Sequence, residues 1–247
     1  MGSQDRDKVV EIFDDLEGLS QAAAKTFVAT ANSAVEANGR FTVALSGGGT
    51  PRRTYELLAQ PRLRDRVRWE AVHVFWGDER CVPADDPRSN VRMAWLALLD
   101  HVAIPAEQVH PVLYMVDPRE SAADYDATLH LTFDQTLPRF DLVLLGMGED
   151  GHTASLFPGT AALDETERWA AAVESKDPPR VTLTYPVLNN ASTVVFLVSG
   201  ANKADALQRV IDGPSAEESL PAARVNPRQG SLKFLVDRAA AGRLSWE

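Results

Sequence analysis

Asp141-Leu142-Val143-Leu144-Leu145-Gly146-Met147-Gly148-Glu149-Asp150-Gly151-His152-Thr153-Ala154-Ser155 is the stretch on which the reading of this chain turns. Residues 142–145 form a short apolar run of the kind buried on both faces of a parallel sheet. The glycines at 146, 148 and 151 then let the backbone turn tightly and approach a ligand. In open α/β sheets, ligands bind in the crevice beyond the strand carboxyl ends. A histidine there, with carboxylates beside it, is placed for general-base work near neutral pH.

The same grammar recurs outward in both directions. Residues 41–45, 71–76, 181–184, 193–199 and 232–236 read as further strands. Residues 21–37, 90–99, 117–135 and 201–211 read as helices. Ser20 is the expected cap of the first helix and Ser89 of the second, and Thr50-Pro51 opens another with Thr50 as its cap. Strands separated by helices imply βαβ units and a mostly parallel sheet covered on both faces. No Pro/Gly/Ser-rich linker or shift in composition divides the 247 residues, so one domain is expected over 1–247, with residues 1–8 disordered.

Composition narrows the function. A formal net charge of −10 disfavours nucleic acid and anionic membranes as partners. An anionic small substrate would need a local basic pocket set against that field. The single cysteine, Cys81, excludes an intramolecular disulfide and suits a reducing compartment. No apolar run approaches a membrane span, and no signal-peptide pattern precedes residue 20; a cytoplasmic protein is expected.

Four constellations carry chemistry. Ser46-Gly47-Gly48-Gly49-Thr50-Pro51-Arg52 lies between a strand and a helix start, where backbone N–H groups and the helix dipole favour an anion; Arg52 is expected to join the contacts. It is neither a Walker A loop nor a dinucleotide fingerprint, and Ala44 breaks a nucleophile elbow around Ser46. Gly77-Asp78-Glu79-Arg80 follows a strand end, with Arg80 suited to a carboxylate or oxyanion and Asp78 to orienting a base or hydroxyl. Arg88, Ser89, Asn90 and Arg92 read instead as capping and surface charge. In the third constellation His152 is the best general base, with Asp150 placed to fix its tautomer. No spacing of His or Cys suggests a metal. In Ser199-Gly200-Ala201-Asn202-Lys203, the lysine opposes a helix dipole and makes sense facing a bound anion, with Arg180 a further candidate for it.

These four segments in this order resemble the 6-phosphogluconolactonase family of the glucosamine/galactosamine-6-phosphate isomerase superfamily. The resemblance runs from Ser46 to Lys203 and includes Leu156-Phe157-Pro158 after the histidine motif. It implies a three-layer α/β/α sandwich around a mostly parallel, modified Rossmann-like sheet, with no metal or organic cofactor. It implies hydrolysis of 6-phospho-D-glucono-1,5-lactone, an anionic sugar-phosphate lactone. The family's catalytic histidine falls on His152, its Asp-Glu-Arg segment on Asp78 and Arg80, and its phosphate loop and lysine on Ser46, Gly47, Gly48, Gly49, Thr50 and Lys203. Three rivals stand beside it. A glucosamine-6-phosphate deaminase/isomerase shares the histidine motif but carries Asn-Glu-Pro where this chain has Leu156-Phe157-Pro158. A sugar-phosphate sensor needs a DNA-binding segment, for which about 40 residues before a first strand at Phe41 leave little room. A serine hydrolase would have to use Ser46.

Overall fold

The computed structural model describes residues 8–213 and 220–245. The expected disorder of residues 1–8 falls, Lys8 apart, outside the described residues. Lys8 itself is tied down, its Nζ donating to the Val210 carbonyl at 2.8 Å. In chain order the strands are β1 (Val9–Phe13), β2 (Phe41–Leu45), β3 (Val72–Trp76), β4 (Asp78–Arg80), β5 (Leu142–Leu145), β6 (Ala170–Val173), β7 (Arg180–Leu183), β8 (Thr193–Val198) and β9 (Ser231–Asp237). The α-helices are α1 (Leu16–Asn38), α2 (Gly49–Leu58), α3 (Pro61–Arg64), α4 (Asn90–Ala97), α5 (Pro118–Thr132), α6 (Tyr185–Leu188) and α7 (Ala204–Asp212).

Six strands form one parallel sheet in the order β1-β9-β8-β5-β2-β3. Every residue of β2 and β5 is buried, as expected of central strands covered on both faces. Right-handed crossovers place α1 and α2, which follow strands stepping one way, on one face. The connections from β3 to β5, β8 and β9 step the other way; α4 packs back against α2, and helices cover both faces of the sheet. The result is the three-layer α/β/α arrangement. α1 presents Leu19, Ala23, Phe27, Ala31 and Val35 to the core at helical spacing, and Phe27 meets Phe41 edge-on at 5.2 Å. Burial of Leu19, Phe27 and Val35 contributes about 1.5–3 kcal/mol each.

The order of strands sets the position of the site. From β2 the chain steps to β3, then returns across β2 to β5. The carboxyl ends of β2 and β5 therefore flank the point where the winding reverses, and a crevice opens there. A second, three-stranded antiparallel sheet, β4-β7-β6, stands beside it.

Several expectations are corrected. β1 lies in a segment read as strand-free, because its half-exposed edge position gives a weak pattern. Residues 78–80, expected as a loop, form β4 against β7, where Asp78 pairs with Thr182 and Arg80 with Arg180. The alanine-rich β6 was equally silent in sequence. α1 begins at Leu16 with Asp15 accepting from the Gly18 amide at 2.9 Å; Ser20 is buried inside the helix and caps nothing. Thr50 does not cap α2. Gly48, at φ +100°, lets the helix start at Gly49 without a side-chain cap. Ser89 does cap α4, accepting from the Arg92 amide at 3.0 Å.

Candidate active site

A cleft of about 250 Å³ lies over the carboxyl ends of β2, β5 and β8 and is closed on one side by β4 and β7. One wall is the turn after β5. The Gly148 amide donates to the His152 carbonyl at 2.8 Å, and the Gly151 amide to Gly148 at 3.1 Å. That fold-back brings Asp150 Oδ1 within 2.5 Å of His152 Nδ1 and within 3.1 Å of the His152 amide. A Cβ on Gly148 would sit 2.0 Å from His152 Nδ1, so only glycine admits this approach. Partial burial alone would raise the Asp150 carboxyl. The hydrogen bonds from the His152 side chain and amide outweigh it and hold the carboxyl below the ordinary aspartate value. An ionised carboxylate only accepts, so the proton of neutral His152 sits on Nδ1 and Nε2 is left basic. The ring packs on Phe157 with centroids 4.2 Å apart, which fixes its plane.

The other walls are cationic. Arg80 and Arg180 are register partners on β4 and β7, and both line the cleft. Burial, and then the neighbouring Arg80, pull the Arg180 guanidinium below the ordinary arginine value. Arg80 donates through Nη1 to the Arg88 carbonyl, while its buried Nε has no partner. Among the described residues, neither arginine forms an ion pair. Lys203 closes the far side from the turn after β8. That turn is gripped by Asp237 at the end of β9, which accepts from the Ser199 hydroxyl at 2.5 Å and from the Gly200 amide at 3.1 Å. A basic pocket thus sits inside a chain of net charge −10.

Asp78 is the carboxylate on the cleft wall. It is buried and accepts from the Ser155 hydroxyl at 2.6 Å, with Asn90 Nδ2 at 3.4 Å. Asn90 in turn stands against the glycine loop, where a Cβ on Gly47 would fall 1.8 Å from its Oδ1. Asn90 is held there by Glu79. That carboxylate accepts from the amides of Arg80, Asn90 and Val91 and from the Ser89 hydroxyl. Burial raises the Glu79 carboxyl above its ordinary value, and these donors oppose the rise.

A family model described as glucosamine-6-phosphate isomerases/6-phosphogluconolactonase matches residues 14–234, which takes in every cleft-lining segment. The chain is 44% identical over 242 residues to a 6-phosphogluconolactonase of Nostoc sp., covering 96% of this chain and 99% of that one. The chain belongs to the glucosamine-6-phosphate isomerase/6-phosphogluconolactonase family. The 6-phosphogluconolactonase of Trypanosoma cruzi superposes with a TM-score of 0.84 at 32% identity, covering 97% of this chain and 98% of that one. A monomeric glucosamine-6-phosphate deaminase superposes with a TM-score of 0.78, covering 96% of this chain and 100% of that chain. At 21% identity that likeness shows the shared fold alone.

Of the residues expected from the sequence, His152, Asp78, Arg80, Ser46, Gly47, Gly48, Gly49, Thr50, Arg180 and Lys203 line the one cleft, with Asp150 behind His152. Arg52 does not. The early start of α2 turns it outward, where its Nε pairs with Glu56 at 3.1 Å on an exposed face. Asn90, set aside as a capping neighbour, is a cleft residue; the signal was its place directly after the Ser89 cap. Ser155, Glu79, Phe157 and Asp237 position the others from behind and were missed as site residues. Ser46 Oγ donates to the Gly47 carbonyl at 3.3 Å and no imidazole partners it, so the serine lacks the base a nucleophile needs. Phe157, where the deaminase pattern has a carboxylate, packs on His152.

Proposed function

We propose that this protein hydrolyses 6-phospho-D-glucono-1,5-lactone to 6-phospho-D-gluconate. The observation that carries the reading is the Asp150–His152 pair facing a cationic cleft in which, among the described residues, no hydroxyl is partnered by the imidazole. A δ-lactone is an activated ester, so water suffices once a base takes its proton. His152 Nε2 accepts that proton as the water oxygen bonds to C1. Asp150 holds the tautomer and stabilises the imidazolium. Arg80 faces the developing oxyanion. As the C1 to ring-oxygen bond breaks, His152 returns the proton to the leaving oxygen, and the new carboxylic acid then loses its remaining proton to solvent to give the carboxylate product. The Ser46–Thr50 loop, Lys203 and Arg180 anchor the 6-phosphate and so fix C1 beside the base. The absence of a carboxylate at 156–158 favours this chemistry over aldose–ketose isomerisation, which needs a further acid–base group.

The reading includes a one-domain organisation, an anionic small-molecule substrate rather than nucleic acid, and a cytoplasmic setting. Among the described residues no helix is long and apolar enough to cross a membrane. The test is loss of 6-phosphogluconolactone generated in place from glucose 6-phosphate, with spontaneous hydrolysis subtracted and glucosamine 6-phosphate run in parallel. Acceleration of lactone loss is expected. Ammonia release from the amino sugar, or tight sugar-phosphate binding without turnover, would reject the proposal. Lys203→Ala is expected to raise KM about tenfold or more with a smaller change in kcat, because the phosphate is held alike in ground and transition states. An unchanged KM would remove Lys203 from the anion site.

A further inference from the structure

The ladder between β2 and β5 pairs Val43 with Leu142 and Ala44 with Val143 and then stops, although both strands continue. Thr42 turns its carbonyl toward β5, accepting from the Asp141 amide at 3.1 Å, whereas Leu45 turns toward β3, accepting from Gly77 at 2.8 Å. Strand alternation therefore sends the Ser46 amide and carbonyl to the β5 side. What they meet is a phenol. The Ser46 amide donates to Tyr55 Oη at 2.9 Å, and the same hydroxyl donates to the Ser46 carbonyl at 2.9 Å. Tyr55 is fully buried on α2, the helix that the glycine loop itself opens.

A second tyrosine repeats the contact. Tyr125 of α5 accepts from the Trp76 amide and donates to the Trp76 carbonyl, both at 2.8 Å. Trp76 is the last residue of β3, directly before Gly77–Arg80. A hydroxyl offers one donor and free lone pairs, so it can replace one rung of a ladder and end it without leaving a buried orphan.

We propose that Tyr55 is a positioning residue for substrate binding: its hydroxyl takes the pairing β5 would otherwise make with Ser46, ends the sheet at the reversal point, and aims the Gly47–Thr50 backbone into the cleft. Tyr125 does the same at the end of β3, where the chain turns at Gly77 into β4, the strand that carries Asp78 and Arg80. The proposal rests on the reading above, in which the Ser46–Thr50 loop holds the substrate's phosphate. Loss of the Tyr55 hydroxyl strands two backbone groups at Ser46, which re-pair with β5 or admit water, and the loop shifts.

The test is Tyr55→Phe, assayed on 6-phosphogluconolactone and with inorganic phosphate as a competitive inhibitor, beside Lys203→Ala. For Tyr55→Phe, KM and the phosphate inhibition constant are expected to rise together by about tenfold, with a smaller fall in kcat. A lowered thermal midpoint with both constants within twofold of the parent would reduce Tyr55 to a structural role and overturn the proposal. Lys203→Ala raising both constants while Tyr55→Phe raises neither would overturn the clamp and leave the anion reading standing. Neither variant raising them would remove the anion reading, and the proposal with it. Should Tyr55→Phe not fold, Tyr125→Phe decides: a folded variant with unchanged kcat and KM overturns the clamp, and a loss of kcat through displacement of Asp78 and Arg80 on β4 supports it.

Discussion

Replacing His152 with alanine is expected to lower kcat by about 10² to 10⁴ while KM changes little. The imidazole is the one base on the cleft wall whose proton is directed by a partner: Asp150 accepts from Nδ1 and leaves Nε2 to take the proton of water. Asp78, the other titratable acceptor there, is already bonded to Ser155 and Asn90. Spontaneous hydrolysis of the lactone sets a floor under the variant, so the measurement is initial rate against an enzyme-free blank. Near-parent turnover in His152→Ala would end the assignment of the base. Asp150→Asn separates orientation from chemistry. An amide still bonds Nδ1 but offers no charge to the imidazolium, so the acid limb of the pH profile is expected to move to lower pH. The rate at neutral pH is expected to fall about 10- to 100-fold through the weaker base. An unmoved limb with an unchanged rate would make the Asp150 contact incidental.

How much of this was legible in sequence depends on which force set each element. The central strands and the loops at their ends were readable because burial on both faces demands continuous apolar runs, and the turns that follow demand glycine. Most cleft members followed from strand ends; Asn90, at the start of α4, did not. What escaped was set by pairing rather than by pattern. β4 reads as Asp-Glu-Arg, a surface loop by composition, and becomes a strand only because β7 lies beside it. Glu79 reads as solvated charge, yet it is buried because three donors from the start of α4, and the Arg80 amide beside it, converge on it. Arg52 was misplaced for a local reason: with Gly48 rather than Thr50 before it, the helix starts two residues early, and residue 52 lies off the cleft face beside Glu56. Tyr55 and Tyr125 look like ordinary core aromatics, since nothing in the chain announces which backbone groups their hydroxyls will meet.

Arg180→Met is expected to lower kcat/KM about 10- to 100-fold while leaving the ligand-free protein as stable as the parent or more so. Like charges directly opposite on antiparallel strands destabilise a sheet, and Arg80 and Arg180 are such a pair, partly buried and, among the described residues, without an ion-pair partner. An arrangement that costs stability in the empty protein is explained if an anion between the two guanidiniums repays it on binding. Removing one cation then relieves the repulsion, and the methionine stem keeps most of the packing against Phe157, over which the guanidinium sits at 5.9 Å. The contacts given up are one half-buried hydrogen bond, Arg180 Nε to the Pro178 carbonyl at 3.1 Å, and the distant charge–ring contact with Phe157. The measurement is the thermal midpoint with and without inorganic phosphate, alongside kcat/KM. In the parent, phosphate raises the midpoint by mass action; in Arg180→Met the rise shrinks or vanishes, from a ligand-free midpoint that is equal or higher. A sharply lower ligand-free midpoint with kcat/KM unchanged would show that the arginine serves the fold. Arg80→Met is expected to share the loss of activity and to add a loss of kcat, in keeping with the proposed role of Arg80 at the developing oxyanion; an unchanged kcat would remove it from that role. The two variants together therefore assign one guanidinium to binding and the other to the transition state.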